Sequence, residues 1–247
     1  MKTIKAFAMV LTLSLFLQAC NDDNGSETVI STDEAADEIS MSLTTDVTDL
    51  ASDLVVISDD AKNGRNSSGK VAACGVPYDT TFTKSFTGQF ISYNYAVSYG
   101  YTLSCSNGAP GSLTYIFSSD GERSTARLSS MGESEGTFTA GGFEVSKANY
   151  TLNGSFYRIH SLSQKSGAQR IFNSESEGSL TNLLVNKSTK KIEGGSATFS
   201  VTGQSSGGST YEFTASVTFN GDGTATATIN GVVYLINLTT GEVTKQP

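Results

Sequence analysis

From residue 71 onward, apolar and polar side chains alternate along the chain. Ile91, Tyr93, Tyr95, Val97, Tyr99, Tyr101, Leu103 and Cys105 interleave with Ser92, Asn94, Ala96, Ser98, Gly100, Thr102 and Ser104. A period of two marks a strand with one buried face. A run of this length would extend about 50 Å, longer than most strands, so the pattern predicts a bend near Gly100. Residues 106–111 form a turn, and Leu113, Tyr115 and Phe117 resume the alternation. Tyr211, Phe213, Ala215, Val217 and Phe219 repeat the theme, followed by the turn Asn220-Gly221-Asp222-Gly223 and then Ala225, Ala227 and Ile229. Asn230-Gly231 is a two-residue hairpin signal. It pairs Ile229 with Val232, Ala227 with Tyr234 and Ala225 with Ile236, which puts all six apolar residues on one face. Residues 238–243 read as a last turn into a short edge strand. Further strands are predicted at 143–152, 155–162, 179–186 and 197–203.

Ahead of the strands the period changes. Ser31-Thr32-Asp33-Glu34 is a capping box, with Ser31 as N-cap and Glu34 three residues on. Ala36, Ile39, Leu43, Val47, Leu50 and Leu54 then recur at spacings of three and four, one stripe of an amphipathic helix. Asp33, Glu34, Asp37 and Glu38 occupy the first turns, where the helix dipole favours negative charge. The threonines lower helix propensity and are expected to fray the ends. The stripe is short and poor in leucine, so it predicts packing on its own domain rather than a coiled coil. The polar stretch 59–70 reads as a loop.

Short turns between successive strands predict a mainly β fold: a long antiparallel meander, as a curved sheet or partly closed barrel, with the one N-terminal helix packed on its apolar face. Polar residues fill the other face of most strands, so one side of the sheet is wet. The 247 residues suffice for one sizeable core once a leader is removed. The net charge of −8 and the absence of a basic cluster argue against nucleic acid as a partner. They also argue against charge-driven docking on anionic lipid.

The first residues carry the strongest address. Lys2 and Lys5 precede an apolar run over 6–16, and Leu17-Gln18-Ala19-Cys20 follows. A charged start, a short apolar core and a small residue before the cut describe a signal peptide over 1–19. The apolar run is too short to span a bilayer comfortably. Leu17-Gln18-Ala19-Cys20 resembles the bacterial lipobox, with Gln18 bulkier than usual at its position. The resemblance implies cleavage before Cys20 and lipidation of that cysteine with diacylglycerol and a fatty acid such as palmitate. Two or more acyl chains make a stable membrane anchor. Residues 20–30 form an acidic linker, and Asn21-Asp22-Asp23-Asn24-Gly25-Ser26-Glu27 resembles the export signal of Bacteroidota surface lipoproteins. The chain as a whole resembles that group, in the Ser/Thr-rich, hairpin-built style of residues 31–247. What the resemblance implies is an outer-membrane location facing the cell surface; it implies no activity. Asp79-Thr80-Thr81 is similar to the triplets that these bacteria O-glycosylate.

With Cys20 lipidated, Cys74 and Cys105 remain, and an exported protein is expected to join them. Cys105 is in phase with the apolar side of its strand, which places the disulfide against the core.

Catalytic chemistry has little to stand on. His160 is the sole histidine, no Gly-x-Ser-x-Gly elbow accompanies it, and no histidine cluster or Cys-x-x-Cys offers a metal site. The carboxylates Asp79, Asp120, Glu122, Glu133, Glu135, Glu144, Glu175 and Glu177 could in principle supply a glycosidase pair. Most sit beside Ser or Gly and read as solvated turns. The reading is therefore non-enzymatic, without cofactor or metal. Tyr93, Tyr95, Tyr99 and Tyr101 are candidates for facing a ligand, offering flat rings and hydroxyls. They share a face with Ile91, Val97 and Leu103, which suits core filling as well. Thr224, Thr226 and Thr228 with Thr214, Ser216 and Thr218 form a threonine array suited to a wet face. The expectation is an outer-membrane-anchored lipoprotein, held in the membrane by its N-terminal lipid, that acts as a surface binding or structural module for an extracellular glycan or protein. The alternative is an envelope carrier holding a lipid or other hydrophobic ligand between curved sheet and helix.

Overall fold

A computed structural model describes residues 30–62, 74–167 and 169–247. The signal segment 1–19, Cys20 with the acidic stretch that follows it, and most of the loop expected at 59–70 lie outside the described residues.

The helix begins where the capping box places it. The Ser31 hydroxyl accepts from the Glu34 N–H at 3.2 Å, and the Glu34 carboxylate accepts from the Ser31 N–H at 2.7 Å. The helix runs as α1 (Thr32–Met41), a π-helical segment (Ser42–Val47) and α2 (Thr48–Lys62), so it extends past the Asp59 at which the loop was expected to start. The threonines expected to fray its ends act in its middle instead. Thr44 and Thr45 donate to the carbonyls of Ser40 and Met41, and Thr48 donates to the carbonyl of Leu43, five residues back. Hydroxyls bonding back to carbonyls compete with the ordinary ladder, which accommodates the wider π turn.

Eleven strands follow in one antiparallel sheet whose spatial order is the chain order. They are β1 (Pro77–Thr87), β2 (Ser92–Ser106), β3 (Ala109–Ser124), β4 (Leu128–Gly141), β5 (Asn149–Gln164), β6 (Ile171–Asn186), β7 (Ile192–Ser205), β8 (Thr210–Phe219), β9 (Thr224–Ile229), β10 (Val232–Asn237) and β11 (Val243–Lys245). β1 and β11 do not pair, so the curved sheet stays open. The hairpin at Asn230-Gly231 has the predicted register, with Val232 opposite Ile229, Tyr234 opposite Ala227 and Ile236 opposite Ala225. Both turn residues take positive φ, 48° and 81°, as this two-residue turn requires.

Three expectations are corrected. The β2 ladder passes through Gly100 without a break, and its irregularity falls between Ser104 and Cys105. The strands expected at 143–152 and 155–162 are one strand, β5, with a register shift between Leu152 and Gly154. A Cβ at Gly154 would lie 2.2 Å from the Thr137 carbonyl oxygen, so glycine serves close strand approach here rather than a turn. β4 was not foreseen, because its inward positions are Leu128, Ser130, Gly132, Ser134, Gly136, Phe138 and Ala140. Small and polar residues there replace the apolar alternation. The Phe117 ring and the Phe156 Cβ fill the space beside Gly136, and a Phe156 ring atom would lie 2.4 Å from a Cβ at Gly178.

The sheet curls around the helix. Every residue from Ala35 to Thr45 is buried, three full turns covered on all sides. α1 packs on β4, β9, β10 and β11, and α2 packs on β3 and β6. The predicted stripe is inside: Ala36, Ile39, Leu43, Val47, Leu50 and Leu54 are all buried. Cys74 and Cys105 form a disulfide with Cα atoms 5.6 Å apart, and Cys105 packs against the core.

Three stability outcomes follow from this packing. A Cβ at Gly132 would sit 2.1 Å from the backbone oxygen of Ile159, so Gly132→Ala forces β4 and β5 apart. It should cost about 1–3 kcal/mol in urea unfolding. Gly194→Ala has only Leu184 Cδ1 nearby, at 3.7 Å, and should change stability by no more than about 0.5 kcal/mol. Replacing Cys74 and Cys105 together by serine opens a bridge of sequence separation 31 and should cost about 3–4 kcal/mol in the same assay.

Candidate functional site

The helix carries nine carboxylates between Thr32 and Lys62 against one lysine. Eight of the nine reach a named partner elsewhere in the domain. Asp33 accepts from the Tyr234 hydroxyl at 2.7 Å and Asp59 from the Tyr150 hydroxyl at 2.7 Å. Asp49 accepts from Tyr95 at 2.9 Å, and Asp53 pairs with Lys84 at 2.6 Å. Glu34 pairs with Arg170, and Asp37 lies 3.2 Å from Arg127. At the centre, Asp46 in the π segment takes a hydrogen bond from Arg158 at 2.9 Å and is approached by Arg123 Nε at 2.7 Å. The Arg123 approach lacks hydrogen-bond alignment, so it acts as a charge pair. Glu38 meets His160 at 2.9 Å.

Strand parity delivers these partners. Arg158 and His160 share a face with Phe156 and Leu162, so they point inward while Tyr157 and Ile159 point out. Serines on neighbouring strands complete the shell: Ser130 accepts from Arg158 at 2.7 Å, and Ser119 bonds Ser134 at 2.8 Å. This lattice was missed in the sequence. Its signal was present in the in-phase Arg158 and His160, yet nothing local says which helix carboxylate each would meet.

Burial alone would raise the Asp46 carboxyl, but the guanidiniums of Arg123 and Arg158 more than offset it and hold the carboxyl below its usual range. His160 is pushed down by burial and by the nearby Arg158 charge, partly opposed by Glu38. Asp37 goes the other way. Burial raises it to about 6, with Arg127 opposing.

The interior is nearly full. Between helix and sheet a void of about 40 Å³ remains, bordered by Asp46, Asp49, Tyr95, Ser119, Arg123 and Phe156. Such a volume holds roughly two or three waters. Tyr95, Tyr99 and Tyr101 are buried in this packing, and Tyr93 is half-buried. Burial and the Asp49 charge push Tyr93 up to about 12, and burial does the same to Tyr101. His160 is shut in with Glu38, and among the described residues no serine hydroxyl bonds to it.

The open space lies on the outer face. A depression of about 940 Å³ crosses β1 to β6, lined by Asp79, Ser98, Ile116, Glu135, Tyr157 and Glu177. A second of about 1030 Å³ crosses β3 to β8 and includes Met131, Glu133, Ile159 and Glu175. The carboxylates read as turn residues sit here instead, at outward strand positions; only Glu144 occupies a turn. The register sets Asp120 opposite Glu133, and Tyr157 separates Glu135 from Glu177. Tyr157 donates to Glu175 at 2.9 Å. Ile116, Met131 and Ile159 stand exposed among these acids and hydroxyls. The threonine array is also real geometry, with Ser216 opposite Thr228 and Thr218 opposite Thr226. Such a face offers hydrogen-bonding groups and isolated apolar contacts, with carboxylates dispersed along strands. Among the described residues, no group of three or more His, Cys, Asp or Glu side chains is placed to hold a metal ion. No protein family, curated protein or solved structure matches the chain.

The buried charges generate two outcomes. Asp46→Ala leaves two buried guanidiniums without their carboxylate and should cost about 3–5 kcal/mol in chemical denaturation at pH 7. Asp37 in the folded protein lies above the ordinary aspartate value of 3.8, so the folded state binds the proton more tightly. Its contribution therefore improves as pH falls from about 6 toward 4, and it weighs against folding at neutral pH. Asp37→Asn should stabilise the domain at pH 7 by on the order of 1–3 kcal/mol, and the gain should vanish near pH 4 when unfolding is followed against pH.

Proposed function

We propose that this protein is an outer-membrane-anchored surface lipoprotein whose outer sheet face acts as a non-enzymatic binding or structural surface. The observation that carries this reading is the filled interior. The helix occupies the trough of the sheet and leaves a void of about 40 Å³ beside Asp46, whereas depressions of about 940 and 1030 Å³ open on the outer face. Their hydroxyls, carboxylates, Tyr157 and exposed aliphatics suit a neutral polar partner such as a glycan, or a protein surface. The lipobox-like Leu17-Gln18-Ala19-Cys20 supplies the anchor, and the acidic stretch after it supplies the address. A carrier of hydrophobic ligands would need the helix to vacate the trough, breaking the Asp46, Glu38 and Asp53 pairs together.

Protease treatment of intact cells tests the surface location. The chain should be lost from unbroken cells while a periplasmic control survives; protection until the outer membrane is opened would overturn the outward-facing reading. Cys20→Ala should move the protein from the membrane to the soluble fraction.

A further inference from the structure

The two ends of the sheet are not alike. At one end β11 is three residues long, a short edge that offers little to a foreign strand. At the other end β1 is eleven residues long, and among the described residues it pairs only with β2. Among the described residues it lacks the usual protections of an edge: its pairing with β2 has no bulge, and its proline, Pro77, stands at the first position. Its one lysine is no guard, since Lys84 is engaged with Asp53 at 2.6 Å.

The backbone valence of this edge can be counted. Gly88 N–H donates to the Ile91 carbonyl at 3.0 Å, which makes these two a hydrogen-bonded pair. Alternation along the ladder then turns the backbone groups of Thr80, Phe82, Lys84 and Phe86 toward β2. Asp79, Thr81, Thr83 and Ser85 turn theirs toward the open edge.

We infer that β1 pairs with β1 of a second copy of this chain, antiparallel about a two-fold axis at Phe82, continuing one sheet into the other. This register sets Thr81 opposite Thr83 of the second copy and Asp79 opposite Ser85, all at positions with outward backbone groups. About eight main-chain hydrogen bonds result. On the helix-facing side the same register brings Phe82 against Phe82 and Tyr78 against Phe86. Each of these rings already rests on a β2 tyrosine, with centroids 5.1–5.6 Å apart, and Phe86 is still 49% exposed. On the outer side only threonine, serine, Asp79 and Pro77 meet. Both faces of the strand therefore match themselves, as an isologous two-fold contact demands. Charge favours the same choice. The chain carries −8, yet β1 holds one acid and one base, and the register opposes neither to its like.

The test uses the full chain extracted from membranes in mild detergent. Density-matched sedimentation should give twice the mass of one chain. Thr83→Pro removes an outward N–H while leaving the β2 ladder its donors, so it should halve that mass with an unchanged circular dichroism spectrum. The Thr81→Cys/Thr83→Cys pair should give a covalent dimer on mild oxidation, whereas Thr198→Cys, outward on β7, should not. The cysteine pair decides the matter should the proline variant not fold. A one-chain mass at every concentration overturns the inference. So does a dimer that survives Thr83→Pro without forming the cross-link. Equal cross-linking through Thr198→Cys means two chains merely sharing a micelle, and overturns it as well.

Discussion

The structure depends on an acidic helix held inside a sheet whose inner face supplies cations and phenols. Nine carboxylates on one helix repel one another, so the segment is poorly suited to stand alone in water. Inside the sheet eight of the nine acquire partners, spread over many strands: Tyr95 on β2, Arg123 on β3, Arg158 and His160 on β5, Tyr234 on β10. Buried pairs of this kind return little net stability, because desolvation of both charges offsets most of their attraction. Their effect is on specificity. A helix rotated or shifted by one turn would leave Arg158, nearly fully buried, facing no carboxylate, and that cost selects one placement.

The inner face of the sheet is shaped to receive these groups. Serines at Ser119, Ser130 and Ser134 hydrogen-bond one another or a guanidinium, and Gly132 lets the His160 backbone come close. Glycines beside rings do the complementary task, with Phe156 spanning the space between Gly136 and Gly178. Large and absent side chains thus alternate across strands, and the sheet can curve tightly while its interior stays full. The π segment belongs to the same fit, since the widened turn carries Asp46, the residue shared by both central arginines.

A filled, charge-locked interior directs attention outward. The outer face is built from Ser, Thr and dispersed acids, with Ile116, Ile159 and Met131 as isolated apolar points. That composition gives the long sheet a polar outer face with shallow, hydroxyl-lined depressions. The open sheet has two ends of different character, one brief and one long, and its aromatic end is the neutral part of an otherwise acidic molecule.

Local signals determined much of this protein. The capping box, the helix stripe, the Asn230-Gly231 hairpin and the alternation of β2, β8 and β9 were all legible, because each is encoded by neighbours in sequence whose spacing matches a fixed geometric period. The antiparallel meander followed from short turns. What tertiary structure alone decided is the interior. β4 and the first half of β6 carry Ser and Gly at inward positions, and their burial makes sense only beside arginines and rings contributed by other strands. The merging of two predicted strands into β5 rests on how closely Gly154 approaches Thr137, a contact between strands. Arg158 lies 112 residues from Asp46, and His160 lies 122 residues from Glu38. No period in the sequence reports such a match, because Coulomb attraction and desolvation act on distances that exist only after the sheet has curled around the helix.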